Sequence, residues 1–411
     1  MKSRSLPILI LSFFIALNLY SQSKRSPKAV FIIVDGIPGD VISKLQPPTL
    51  MEISQAGGFT LSYTGGTRNS YNQTPTISAP GYTNLITGVW GNKHNVWDND
   101  INDPNYYYWN IFRIAKKANP SLKTAVFSTW TDNRTKLVGE DLDATDNFKL
   151  DYSFDGLELD TTTYPHDKEA NYIRKIDEAV SAQAAAFIQE HGPDLSWVYL
   201  EYTDDMGHRF GDSEQFYNAV SGADLQIRRI WDAIKLRQQT FNEDWLIVVT
   251  TDHGRDAATG RNHGGQSDRE RLTWIVTNSH NLNEHFNSTP AVVDILPSIC
   301  NHLNIRVPEA QRNELDGVPF IGTLEFSDLK ASKEGSKIVV DWKSYVKDER
   351  TLGIYLSPTN KFKKGDEDQY VKVADVPVKQ QKFTITVKSD SPFFKVLIKT
   401  PDQALNIWIG K

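Results

Sequence analysis

The sequence predicts an α/β fold, a mostly parallel sheet sandwiched by helices, followed by a small antiparallel β-sandwich. Three observations lead there. Short apolar runs rich in Val, Ile and aromatics suit strands buried on both faces. Amphipathic stripes between them suit covering helices, and the pattern changes to short alternating runs after about Thr323.

The apolar runs are Ala29 to Val34, Trp197 to Tyr202 and Trp245 to Thr250, with Thr124 to Phe127 as a fourth candidate. Ile173, Ile176, Val180, Ala184 and Phe187 recur at steps of three and four, and Gly192-Pro193 stops that helix. Val220, Ala223, Ile227, Ile230 and Ile234 form a second stripe. Both stripes read as core faces. From Leu329 to Trp408 the runs are Ile338-Val340-Trp342, Phe383-Ile385-Val387 and Phe394-Val396-Ile398. Polar turns such as Lys361 to Asp368 separate them, as in a small β-sandwich.

Lys2 and Arg4 precede an apolar run from Leu6 to Tyr20 and a small polar stretch, Ser21-Gln22-Ser23. This is the pattern of a secretory signal peptide, and the run is short for a spanning helix. The expected organisation is a signal peptide over 1–22, a catalytic domain over 23–323 and a β domain over 324–411. A secreted or periplasmic protein follows, free of the membrane after cleavage.

Composition narrows the chemistry. With 39% hydrophobic residues among 411, a packed core is expected rather than disorder. The net charge is -6 and no long basic run occurs, so polymeric nucleic acid is not an expected partner. The single cysteine, Cys300, excludes an intramolecular disulfide and a cysteine zinc knuckle; its apolar surroundings read as core.

Each main apolar run ends in an aspartate: Asp35-Gly36, Asp204-Asp205-Met206-Gly207-His208, and Asp252-His253-Gly254. In an open parallel sheet, functional groups gather at the carboxyl edge of the strands, so these distant aspartates converge. One such aspartate is ordinarily a turn residue. The set is more specific, because His208, His253 and His263 join Asp35, Asp204 and Asp252. Mixed imidazole and carboxylate ligands suit zinc or a similar metal, and six groups can hold two ions with positions left for substrate. The segment Thr74 to Gly88 reads as a loop entering a helix, where a hydroxyl sits beside backbone N–H groups that favour an anion. Taken alone, such a Ser/Thr-Pro loop is a helix cap.

Pro75-Thr76-x-Ser78-x-Pro80, then Thr87-Gly88 and His94, resembles the nucleophile segment of the type I phosphodiesterase/nucleotide pyrophosphatase branch of the alkaline phosphatase superfamily. Asp35-Gly36, Asp204-x-x-x-His208, Asp252-His253-Gly254 and His263-Gly264 fall in the order of that family's metal ligands. The likeness runs from about Lys28 to Ile321. It implies an alkaline phosphatase-like fold and a phosphoric ester hydrolase with two divalent ions, zinc above all. Asp35, Ser78, Asp252 and His253 would hold one ion; Asp204, His208 and His263 the other. Ser78 would attack phosphorus and carry a transient phosphate, with Thr76 the second candidate. Leu329 to Trp342 is similar to the opening of a fibronectin type III domain.

Two departures matter. The family's Asn-His after the second proline is Gly81-Tyr82 here, so Asn99 is assigned the oxyanion-side role by resemblance to a phosphomonoesterase group. The stretch Ser128 to Arg134 carries one arginine and no lysine, which favours a diester or pyrophosphate over a monoester dianion. Trp97 and Tyr107, in an aromatic cluster, are the expected leaving-group contacts. The substrate is expected to be a small phosphoester such as a nucleotide, a lipid head group or a phosphorylated glycan. Phosphomonoesterase, then sulfate ester hydrolase, then non-catalytic binding protein remain the alternatives.

Overall fold

The computed structural model describes residues 25–388 and 391–410. The segment read as a signal peptide, 1–22, lies outside these described residues. Among the described residues no helix is long and apolar enough to cross a membrane.

Fourteen strands are described. In chain order, β1 is Ser26–Val34, β2 Gly58–Tyr63, β3 Thr124–Ser128, β4 Tyr152–Phe154, β5 Leu195–Leu200, β6 Glu243–Thr250 and β7 Leu272–Thr277. These seven form one sheet in the order β2-β7-β6-β1-β5-β3-β4. The five strands from β6 to β4 run parallel, while β7 and β2 run antiparallel at one edge. The sheet is the alkaline phosphatase-like α/β architecture expected from the sequence.

The period-2 alternation of the central strands divides the core into two layers. Phe31, Ile33, Trp197, Tyr199, Leu246 and Val248 face one side, beneath the helices Ser78–Thr87 and Ile295–His302. Val30, Ile32, Val198, Leu200, Ile247 and Val249 face the other, beneath Asn171–His191 and Glu214–Thr240. The stripe ending at Phe187 lies on the first of those two helices, and Gly192 closes it in a left-handed cap. Cys300 is buried in the first layer as a free thiol.

The expected strand Trp197 to Tyr202 ends two residues early. The Asp177 carboxylate accepts from the backbone N–H groups of Glu201 and Tyr202 at 3.0 and 2.9 Å, and a helix, Tyr202–Phe210, starts there. Asp204 and His208 therefore sit one turn apart on a helix face, not in a loop.

The remaining strands are β8 Phe326–Glu334, β9 Lys337–Ser344, β10 Thr351–Ser357, β11 Val371–Pro377, β12 Lys382–Thr386, β13 Phe394–Lys399 and β14 Ala404–Ile409. They form antiparallel sheets of four, β11-β10-β13-β14, and three, β12-β9-β8, around their own core of Phe326, Val340, Trp342, Ile354, Phe394 and Val396. The contact with the larger sheet is polar and buried. Lys395 pairs with Glu314 and Asp368 at 2.8 and 2.7 Å, and Lys93 donates to Asn406 Oδ1 at 3.0 Å; neither lysine is exposed. Trp408 stacks on Tyr71 and donates its backbone N–H to that phenol oxygen at 3.0 Å.

Candidate metal and nucleophile site

Asp35 follows β1, Asp252 follows β6, and Asp204 lies in the first turn of the helix after β5. These are the three adjacent central strands, so the three carboxylates meet at one carboxyl edge, as Asp-ended parallel strands require. Two tight backbone approaches make room for them. Gly36 has φ +67°, and a Cβ there would lie 2.4 Å from Asp204 Oδ1. Gly81 lets the helix Ser78–Thr87 close on Asp252, where a Cβ would come within 2.8 Å of the Asp252 Cβ. The Asn-to-Gly departure at this position thus coincides with close packing against a ligand.

Hydrogen bonds fix the imidazole tautomers. His253 Nδ1 donates to the Gly254 carbonyl at 2.9 Å, so its Nε2 carries a lone pair. That lone pair faces Asp35 Oδ1 at 3.4 Å, Asp252 Oδ2 at 3.2 Å and Ser78 Oγ at 3.4 Å. Neither carboxylate oxygen has a hydrogen-bond partner, although both are buried. Buried acceptors facing one another without a proton between them are costly, and a cation resolves the conflict. His263 Nδ1 likewise donates to the Thr76 carbonyl at 2.9 Å. Its Nε2 points at His208 Nε2, 3.0 Å away, and at Asp204 Oδ1, 3.9 Å away. His208 Nε2 lies 3.2 Å from Asp204 Oδ2.

Ligand atoms of Asp35, Asp252 and His253 lie within 4.8 Å of one another, as do those of Asp204, His253 and His263. The residues present therefore fit divalent cations. His253 stands between the two groups, its ring stacked on His263 at 3.8 Å.

The protonation energetics agree. Burial, then the nearby Asp252 and Asp204 charges, push the Asp35 carboxyl well above its usual range, against the phenols of Tyr82 and Tyr199. Burial lifts Asp252 to about 7. Asp204 is held well below the carboxylate range, because Arg255 and the surrounding histidines outweigh burial. Burial keeps His253 and His263 neutral-favouring, the state in which imidazole binds metal. The Asp204 hydrogen bond raises His208.

Ser78 is the first residue of its helix and is buried, with only its rim exposed. Asn99 lies beside it: its Oδ1 accepts from Ala79 N at 2.9 Å. Thr76 is fully buried, and its hydroxyl donates to Gly265 O and accepts from Gly264 N, both at 2.9 Å. Those bonds commit Thr76 to holding the His263 loop and set it aside as a nucleophile. His94 is a core histidine bonded to Asn84 at 2.9 Å, its pKa pushed down to about 3 by burial. Trp97 is 39% exposed, bonded to Asn95 and packed over Gly91. Tyr107 is half exposed, and its ring lies against Gly365, where a Cβ would come within 2.5 Å. Arg134 is tied to Asp155 and Glu140, which absorb its charge.

Sequence reading missed Arg255 and Tyr199, and marked Tyr82 only as a departure from the family's pattern. Arg255 is unexposed, donates to Gly36 O at 2.9 Å and to Arg261 O at 3.0 Å, and pairs with Asp204 Oδ1. Its place directly after Asp252-His253-Gly254 was the available signal. Tyr199 reads as an ordinary core aromatic of its strand.

The fold and ligand set define an alkaline phosphatase-superfamily protein. The family model for type I phosphodiesterase/nucleotide pyrophosphatase matches residues 29–319, and the chain belongs to that family. It is 23% identical over 261 residues to human ectonucleotide pyrophosphatase/phosphodiesterase family member 5, an alignment covering 60% of this chain and 49% of the relative. The chain thus spans about half the length of the curated relative it matches. Among solved structures, the phosphonate monoester hydrolase of Agrobacterium radiobacter superposes with a TM-score of 0.52 at 14% identity, over 93% of this chain and 89% of that one. Ps i-CgsB in complex with k-i-k-neocarrahexaose gives 0.51 at 14% identity, over 78% and 84%. At these identities the structural likeness carries the fold alone.

Proposed function

We propose that the chain is an exported, metal-dependent phosphoric ester hydrolase, a phosphodiesterase or nucleotide pyrophosphatase acting through Ser78. The observation that carries this is the convergence of three carboxylates and three imidazoles, the lone pairs of His253 and His263 turned inward, beside a hydroxyl at a helix start. Two divalent ions held by Asp35, Ser78, Asp252 and His253 and by Asp204, His208 and His263, zinc above all, would supply Lewis-acid charge for the attacking and leaving oxygens. Ser78 Oγ forms the bond to phosphorus as the ester oxygen leaves, giving phosphoserine; water then cleaves that bond and restores the hydroxyl. Of the N–H groups at the start of Ser78–Thr87, that of Ser78 is the one left to meet a phosphoryl oxygen, since Ala79 donates to Asn99, Pro80 has none and Gly81 donates to Ile77 O. Asn99, held against Ala79, brings its carboxamide nitrogen to the same region, and Trp97 borders the leaving-group side.

The commitment of Arg134 to Asp155 and Glu140 favours a diester or pyrophosphate, since a monoester dianion needs free cationic contacts. The substrate class is a small phosphoester: a nucleotide, a lipid head group or a phosphorylated glycan. The phosphomonoesterase reading draws on Asn99, which occupies the place that resemblance gives it in that group. The C-terminal sheets are read as a fibronectin type III-like domain over 324–411, following a catalytic domain over 23–323.

Ser78→Ala tests the mechanism. Turnover should vanish and affinity for one zinc should fall, because Ser78 is one of its proposed ligands, while the melting profile of the metal-free protein stays near wild type. Mass spectrometry of acid-quenched wild type should find phosphate on the peptide containing Ser78. Full activity in the variant would sink the Ser78 route.

A further inference from the structure

Asp35 is held by an arrangement that its role as a ligand does not by itself require. Tyr82 donates its phenol proton to Asp35 Oδ2, and Tyr199 donates to the same oxygen at 2.7 Å. The two phenol oxygens lie 2.7 Å apart. All three side chains are buried. Asp35 Oδ1, on the other branch, has no hydrogen-bond partner and faces His253 Nε2 at 3.4 Å. The carboxylate is thus polarised into one satisfied oxygen and one bare oxygen.

The tyrosines come from different elements and neither is free to move. Tyr82 lies one turn into the helix Ser78–Thr87, and Tyr199 is in β5. The Tyr82 ring meets Tyr199 at 4.9 Å between centroids, and Trp130 and Trp197 edge-on at 6.4 Å each. Close packing of this kind fixes a hydroxyl to within a rotamer. Because Tyr82 shares a helix with Ser78, the clamp also ties the Asp35 position to that of the hydroxyl beside it.

We infer that Tyr82 and Tyr199 are positioning residues that make Asp35 a one-oxygen ligand, through Oδ1, of the cation shared with Asp252 and His253. This rests on the metal-dependent reading above and goes beyond it by fixing how one ligand binds. Two donors on Oδ2 keep that oxygen off the ion and hold the carboxylate plane in place. They also draw charge from Asp35, which leaves the ion a stronger Lewis acid than a two-oxygen carboxylate would. The replacement of the family's His by Tyr82 then has a chemical consequence in this chain.

The test uses Tyr82→Phe and Tyr199→Phe in the full chain, both of which keep the ring and its packing. Zinc affinity is measured by chelator competition, and the visible spectrum is recorded after cobalt substitution. Melting of the metal-free proteins checks that both variants fold. Loss of an outer hydrogen bond to a ligand typically costs about 10- to 100-fold in metal affinity. Each variant is expected to lose affinity in that range and to show a weaker, shifted cobalt spectrum as Oδ2 joins the coordination. Affinity and spectrum equal to wild type in both variants would overturn the clamp while leaving the metal site intact. Failure of the wild type itself to bind zinc or cobalt would overturn the metal-dependent reading and the clamp with it.

Discussion

His263 donates its Nδ1 proton to the carbonyl oxygen of Thr76 at 2.9 Å, so the segment that carries Ser78 also sets the tautomer of an imidazole ten residues beyond Asp252-His253. The Thr76 hydroxyl completes the joint, bridging Gly264 N and Gly265 O. The Ser78 loop and the His263 loop are one unit, although 187 residues separate Thr76 from His263 in the chain.

Thr76→Val removes that bridge at nearly constant volume. Each buried backbone group left without a partner costs about 1–3 kcal/mol. Urea unfolding should show the loss, and zinc affinity should fall as the His263 loop loosens. Thr76→Ser keeps the hydroxyl and should restore both. Wild-type affinity in the valine variant would show that the loop is held elsewhere.

The pair of His285 and Asp294 predicts a pH dependence of stability. Their atoms lie 2.7 Å apart, and Asp294 also accepts from Ala291 N and Val318 N at 2.7 Å. Burial opposes charge on His285, but the Asp294 carboxylate outweighs it and raises the imidazole pKa. A raised folded value means that the protonated pair stabilises the fold below the unfolded pKa of about 6.5. That contribution is lost as pH rises through the higher folded value. Thermal melts of wild type and His285→Gln should therefore differ most in mildly acidic buffer and converge toward alkaline pH. A constant difference would contradict the linkage.

Much of this was legible in the sequence, and the limits have physical causes. β1, β5 and β6 announce themselves because a strand buried on both faces must be apolar throughout. β2 does not, since it runs at the sheet edge with Leu61 exposed, and β4 has only three residues. Asp35, Asp204 and Asp252 were readable because each closes an apolar run. The start of the Asp204 helix was not, because Asp177, far back in the chain, caps it. The partners of Tyr82, Tyr199 and Arg255 escaped notice because a phenol or guanidinium reveals its partner only when the fold brings Asp35 or Asp204 to it.

The C-terminal sheets should unfold with the larger domain. Lys395, unexposed, lies between Glu314 of one and Asp368 of the other. Removing one partner of a buried charge set costs about 3–5 kcal/mol. Lys395→Met should lower the urea midpoint in a single transition seen by both tryptophan fluorescence and far-ultraviolet dichroism. Two separated transitions in wild type would show the halves to be independent.

The most direct test of the central claim compares turnover on bis-(p-nitrophenyl) phosphate and p-nitrophenyl phosphate, with zinc supplied and a chelator as control. A metal-dependent phosphodiesterase predicts faster turnover of the diester, abolished by chelator and restored by zinc. Faster turnover of the monoester would contradict the diester assignment. Turnover untouched by chelator would contradict the metal site that Asp35, Asp204, Asp252, His208, His253 and His263 are proposed to form.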